Sequence, residues 1–189
     1  MKDNISRRPR NSSFPLRTII VREMRITDWH SIHKMYDSLS EEDKAFFHPG
    51  FLGYDNINFA WLIFQVHLLL SCIRPLRKIL LKMLPRIVFL PLVAIYQNRI
   101  IGFAYIKVKR RMPDRGFCAT LSVIVDNIAR GTGLASILME SLLRLAHQEN
   151  IREISLMVLL NNIRAISLYK KYGFNVVGKT IDCYRGKIH

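Results

Sequence analysis

The 189-residue sequence predicts an α/β fold: a mixed, mostly antiparallel central sheet flanked by helices, carrying an apolar and basic helical insertion. Three observations point there. Two apolar runs, residues 92–96 and 100–108, flank the turn Gln97-Asn98-Arg99, which reads as a strand, a turn and a strand. Gly131 and Gly133 join a strand ending at Val125 to a long amphipathic stretch. Strand and helix patterns alternate along much of the remaining chain, as in a sheet covered on both faces.

Taken in order, residues 1–15 read as a basic, flexible arm, and the domain is expected to fill 16–189. The first ten residues are polar and basic with no apolar run after them, unlike a secretory signal. Residues 18–24 suit a first strand. Asp28 is placed to cap a helix in which Trp29, Ile32, Met35, Tyr36 and Leu39 recur at helical spacing. An acid-rich start at Ser40-Glu41-Glu42-Asp43 predicts a short helix that stops near His48-Pro49-Gly50. Residues 117–125 form a further strand, and 133–150 an amphipathic helix with Leu134, Ile137, Leu138, Leu142 and Leu145 on one face. The nearly all-apolar run 154–160 predicts a strand buried on both faces. Residues 162–172 read as a helix closed by Gly173, and 175–182 as a last strand.

Composition narrows the class. Half of the residues are hydrophobic, so the chain is globular. Lys and Arg number 29 against 14 Asp and Glu, a net charge of +15 that favours anionic partners. No interleaved aromatic and basic motif supports nucleic acid as that partner. Cys72, Cys118 and Cys183 are far apart and odd in number, which suits reduced thiols in the cytoplasm. Cys118, alone on an apolar strand, reads as packing and not as a nucleophile. His30 and His33 share a helical face without a third ligand, and no metal is expected.

The segment at about 51–90 is unusual. Residues 56–113 contain no Asp or Glu while basic residues accumulate there. Residues 59–73 are strongly apolar but fall short of the roughly 20 residues of a membrane span. Residues 76–84 alternate Leu, Ile and Met with Arg and Lys between Pro75 and Pro85. A basic amphipathic helix of this kind suits a membrane surface, so the insertion is a candidate for binding an apolar or membrane-associated acceptor, or for peripheral contact of 59–86 with the anionic inner face of a membrane. An extra helix pair packed on the domain, or at a homodimer interface, fits the pattern equally.

The sharpest local feature runs from Val125 to Ser136. A strand ends, a short turn follows, and two glycines lead straight into a helix. Small residues let a ligand approach the backbone, and the first-turn N–H groups point outward. With the helix dipole these groups form an expected anion cradle suited to a pyrophosphate, or else a tight strand-to-helix turn that holds no ligand. Further on, Asn162 and Tyr169 lie about two helical turns apart, on one face.

Arg130, Gly133 and Ala135 match an Arg/Gln-x-x-Gly-x-Gly/Ala loop, and Asn162, Ala165, Leu168, Tyr169, Gly173 and Phe174 match an Asn-x-x-Ala-x-x-Leu-Tyr pattern running into Gly-Phe. In that order and spacing they resemble the GCN5-related N-acetyltransferase (GNAT) superfamily, specifically over residues 121–177. The resemblance implies a GNAT-like acyl-CoA N-acyltransferase fold with acetyl-CoA as co-substrate. It implies main-chain contact from Val123, Ile124 and Val125 to the pantetheine arm, with a backbone N–H such as that of Val125 polarising the acyl carbonyl. It implies that Arg130 to Ser136 hold the pyrophosphate, that Asn162 bonds the cofactor arm, and that Tyr169 protonates the departing thiolate. The acceptor implied is a primary amine, either a small molecule or glycan-type, attacked directly without an acyl-enzyme. Many relatives carry a Glu on the strand before the loop, whereas residues 117–122 hold no carboxylate. His48, Glu41, Glu42, Tyr105 or a water chain remain as alternatives for the base. The same absence leaves open a non-catalytic acyl-CoA sensor on this fold. Lys170 and Lys171 are candidates for the cofactor's remaining phosphate.

Overall fold

The computed structural model describes residues 18–46, 87–110 and 117–178. The expected arm at 1–15, the insertion up to residue 86 and the helix stop at His48-Pro49-Gly50 lie outside them. The chain divides into two compact units, Met1–Met157 and Val158–His189.

In the first unit, β1 (Ile20–Glu23), β2 (Ile87–Tyr96), β3 (Arg99–Arg110), β4 (Phe117–Val125) and β5 (Ile151–Ser155) make a sheet in the order β1-β2-β3-β4-β5. The first three pairings are antiparallel and β4 pairs β5 in parallel. This is the mixed, mostly antiparallel sheet expected. Helix α1 (Trp29–Asp37), the short α2 (Glu41–Phe46) and α3 (Leu134–Gln148) accompany it.

Alternation along β3 assigns its two faces. Phe103 and Tyr105 join Ile32, Met35 and Leu39 of the α1 segment in one core. Gly102, one residue earlier, faces α3: a Cβ there would lie 2.9 Å from Leu138 Cδ1 and 3.3 Å from Leu134 Cδ2. The missing side chain lets α3 sit close on the sheet, with Leu134, Leu138, Met139 and Leu142 buried. Gly102→Val is expected to cost about 1–3 kcal/mol through overpacking, read by chemical denaturation; an unchanged midpoint would mean that α3 sits less tightly.

The β2–β3 turn is the two-residue kind that matches strand twist, with φ of +46° at Gln97 and +61° at Asn98. β2 starts at Ile87, upstream of the expected residue 92, and so takes 87–90 from the expected insertion. Pro91 lies inside β2 and pairs with Tyr105. Its carbonyl accepts from Met24 N–H at 3.0 Å, so its missing donor faces the side where β1 has already ended.

Asp28 stands at the start of α1, as expected, but its carboxylate makes no capping bond to the helix. Instead it takes two hydrogen bonds from the Arg22 guanidinium, at 2.6 and 2.8 Å, and one from Arg25 N–H at 2.6 Å. Burial alone would raise its pKa; the Arg22 and Arg25 donors outweigh that and lower it. The pair fastens β1 to the start of α1.

Two expectations at the end of the chain are corrected. β5 runs over 151–155 and not 154–160, and none of its residues is fully buried. Its pairing with β4 stops at Thr120↔Ser155, and Met157, Leu159 and Leu160 beyond it are exposed. Apolar character in that run therefore does not report burial on both faces. The last strand expected at 175–182 is absent over 175–178, where Val176 and Val177 are exposed; 179–182 lie outside the described residues. The second unit's described helix is α4 (Ile163–Lys171). Among the described residues no helix is long and apolar enough to cross a membrane.

Candidate functional site

The end of β4 carries the first part of the site. Asp126 N–H donates to Ile101 carbonyl at 2.9 Å, which fixes the phase of the β3–β4 ladder. Ile124, paired with Phe103, therefore turns its main chain toward β3 and buries its side chain in the α1-side core. Val123 and Val125 turn theirs the other way. β5 has parted from β4 by then, so among the described residues the main-chain groups of Val123 and Val125 meet no protein partner. Of the three residues expected to contact the pantetheine arm, Ile124 turns its main-chain groups to β3.

Asp126 anchors the turn that follows. It is 3% exposed, accepts from Arg99 Nη2 at 2.7 Å and from Ile128 N–H at 3.1 Å, and so caps a 3-10 turn at Asn127–Ala129. Gly131 and Gly133 then take φ of +76° and +95°, conformations strained for any residue with a Cβ. Gly133 is the N-cap of α3.

Accounting for the amides shows what this geometry leaves open. Arg130 N–H goes to Asn127 carbonyl at 3.3 Å, Ser136 N–H to Gly133 carbonyl at 2.9 Å, and Leu134 N–H to the Thr132 hydroxyl at 3.3 Å. That hydroxyl donates to Ala129 carbonyl at 2.7 Å. The N–H groups of Gly131, Thr132, Gly133 and Ala135 meet no protein acceptor among the described residues. The cradle expected over 130–136 narrows to these four, because Arg130, Leu134 and Ser136 spend their amides within the loop. The first turn of α3 holds no acidic side chain, so nothing there competes with an anion for the positive end of the helix.

Sequence reasoning missed one partner. Arg130 Nη2 lies 2.9 Å from Asp43 Oδ1 on α2. Neither residue's neighbours signal the pairing, since residues 40–43 read only as the acid-rich start of a short helix.

In the second unit, the motif around α4 is a set of caps. Asn162 is the N-cap and its Oδ1 accepts from Ala165 N–H at 3.1 Å, which leaves its amide nitrogen outside the cap. Gly173, at φ +84°, ends the helix with Gly173 N–H on Lys170 carbonyl and Phe174 N–H on Tyr169 carbonyl. The Phe174 ring packs edge-on against Tyr169 at 6.0 Å. Tyr169 is half-buried, and its hydroxyl finds no protein hydrogen bond among the described residues. Burial pushes its pKa up.

The other candidates separate clearly. Tyr105 is buried and its hydroxyl bonds Ser122; burial raises its pKa more than that bond lowers it, so it holds a proton firmly. Glu41 is paired with Lys44 at 2.8 Å. His33 packs against Trp29 at 4.5 Å and burial favours its neutral form. His48 and the side chains of Glu42 and Cys118 lie outside the description. Lys170 and Lys171 are exposed. Among the described residues no three His, Cys, Asp or Glu side chains gather as a metal site.

Residues 36–174, from the last turn of α1 to two residues past the C-cap of α4, match the Acetyltransferase (GNAT) family. The chain belongs to the GNAT family. Within it, this GNAT chain is 34% identical over 88 residues to the L-amino acid N-acetyltransferase AaaT of Escherichia coli (strain K12). That match takes in 46% of this chain and 54% of AaaT, so the chain spans about half of that relative's length. A GNAT-family acetyltransferase from Streptococcus pneumoniae has the same fold, with a TM-score of 0.59 and 22% identity over 85% of this chain and 86% of its own. Glucosamine-6-phosphate N-acetyltransferase from Arabidopsis thaliana has it too, with a TM-score of 0.58 and 14% identity over 88% of this chain and 98% of its own.

Proposed function

We propose that this GNAT protein is an N-acetyltransferase that moves an acetyl group from acetyl-CoA to a primary amine by direct attack. The observation that carries the reading is the set of four unpaired amides at the head of α3, Gly131, Thr132, Gly133 and Ala135. An anion with several acceptor oxygens, such as a diphosphate, fits donors of this kind without any change in the protein's own bonds. Val123 and Val125 would hold the pantetheine amides as a sheet edge holds an added strand. By the family resemblance, Asn162, whose amide nitrogen lies outside the cap, is a further candidate donor to the cofactor.

Acetyl-CoA supplies a thioester whose acyl carbon a neutral amine can attack. Val125 N–H would donate to the acyl oxygen, where negative charge develops as the amine attacks. By the family resemblance, the Tyr169 hydroxyl would hold the proton that the leaving sulfur takes, and water would return a proton to it. The amine loses its surplus proton to water. A tyrosine serving as packing alone would be expected to bond its hydroxyl to a main-chain group. Turnover of Tyr169→Phe separates the enzyme from the acyl-CoA sensor: it falls only if Tyr169 serves as the proton donor.

AaaT is an L-amino acid N-acetyltransferase, and the Arabidopsis enzyme is a glucosamine-6-phosphate N-acetyltransferase. Amino acids and amino sugars are therefore the first acceptors to try. The protein acts in the cytoplasm in this reading, and its basic segment 59–86 holds it at an anionic membrane surface or covers the acceptor. Thiol release from acetyl-CoA, screened against both amine classes with and without anionic phospholipid, tests the reading. Amine-dependent release supports it; no release with any amine, while CoA still binds, would favour the sensor.

A further inference from the structure

The ion pair between α2 and the cradle loop has features that a surface salt bridge lacks. Both oxygens of Asp43 are engaged: Oδ1 accepts from Arg130 Nη2 at 2.9 Å and Oδ2 from the Ser40 hydroxyl at 2.5 Å. Asp43 N–H donates back to the same hydroxyl at 3.2 Å, which holds the carboxylate to its own helix start. The Asp43 side chain is 15% exposed and that of Arg130 35%, so the pair is shielded on one side and open on the other.

Arg130 also stands directly before Gly131, the first of the four unpaired amides. That stretch has little else to hold it. A Cβ on Gly131 would meet nothing within 4 Å, so packing does not fix the loop there. The tethers on either side are the Thr132 hydroxyl on Ala129 and the Arg130–Asp43 pair. A guanidinium carries five N–H donors in a rigid fork. With one nitrogen fixed by Asp43, the others have lost their rotational freedom before any ligand arrives, which lowers the entropy cost of meeting one.

We propose that Asp43 is a positioning residue for diphosphate binding: it holds Arg130 so that the free side of its guanidinium, together with the adjacent amides, meets the incoming diphosphate. This rests on the cofactor reading given above and adds a residue to it from outside the loop. Two effects of Asp43 oppose each other. Its negative charge near an anion site weakens binding by repulsion, whereas its grip on Arg130 strengthens binding by orientation. Positioning wins because the charge is already neutralised by the Arg130 and Ser40 bonds, while an untethered guanidinium on a glycine-flanked loop would have to be ordered anew.

The two effects predict opposite outcomes for Asp43→Asn, measured by calorimetry with CoA and with pantetheine, which lacks the phosphates. Positioning predicts about tenfold weaker CoA binding, the worth of one charge-assisted hydrogen bond, with pantetheine binding unchanged. Arg130→Gln should match it, and the double variant should bind no more weakly than either single one. Tighter or unchanged CoA binding in Asp43→Asn overturns the proposal, as does an equal loss for CoA and pantetheine, which would mark general loosening. Should Asp43→Asn not fold, Ser40→Ala is expected to weaken CoA binding in the same direction by a smaller factor, and no change there also overturns it. Wild-type protein that does not bind CoA would instead sink the underlying cofactor reading.

Discussion

Replacing Tyr169 by Phe is expected to lower turnover by about 100-fold, the lower end of what a positioned proton donor contributes, with CoA affinity unchanged. The ring would still pack on Phe174 and the caps of α4 would stand, because none of them uses the hydroxyl. The pH dependence has a definite sign. Burial raises the Tyr169 pKa above its ordinary value. The protonated form, which is the donor, therefore persists through neutral pH and beyond about 10, the unperturbed value. Wild-type turnover should show no loss from Tyr169 ionisation between neutrality and that value, and Tyr169→Phe should remove any alkaline limb above it. Measured kcat in the variant within twofold of wild type would remove Tyr169 from the chemistry.

Ala135→Pro is expected to weaken CoA binding by roughly 10- to 100-fold while leaving the fold nearly as stable. Ala135 is the second residue of α3. Proline is tolerated in a helix's first turn, where the N–H has no intrahelical partner to lose. The substitution thus deletes one of the four unpaired donors and little else. A hydrogen bond to a charged group contributes about 1.5–3 kcal/mol, and each 1.4 kcal/mol is tenfold. The Michaelis constant for acetyl-CoA should rise while denaturant midpoints stay close to wild type. A large stability loss with unaltered affinity would show that this amide serves α3 and not a ligand.

How much of this was legible in the sequence depends on whether the cause was local. The β2–β3 hairpin, the whole of β4 and the long α3 came from alternation, turn residues and helical spacing that act over a few positions. Gly133 as the N-cap of α3 and Gly173 as the cap of α4 follow from backbone conformations that other residues resist. Long-range pairing was not legible. The start of β2 at Ile87, upstream of residue 92, was not legible because the place of Pro91 in a strand depends on where β1 ends. The run 154–160 looked like a buried strand because composition does not reveal that β5 parts from β4 at Ser155. Asp28 was assigned to the wrong acceptor role because Arg22 comes back beside it across the β1 turn.

The same division runs through the site. The loop and the α4 motif were readable because their spacing is their geometry. Which amides stay open was not, since it depends on the Thr132 hydroxyl reaching Leu134 N–H and on the phase of the β3–β4 ladder that takes Ile124 away. Asp43 was invisible as Arg130's partner, because α2 comes to the loop through tertiary folding and no local pattern records it.

The measurement that tests the central claim most directly is a titration of 15N-labelled protein with CoA, followed amide by amide. The account predicts that the largest downfield shifts fall on Gly131, Thr132, Gly133 and Ala135, that Leu134 and Ser136 move less, and that pantetheine leaves all of these in place. Saturating CoA that leaves those four amides unmoved, or that shifts another region instead, would contradict it.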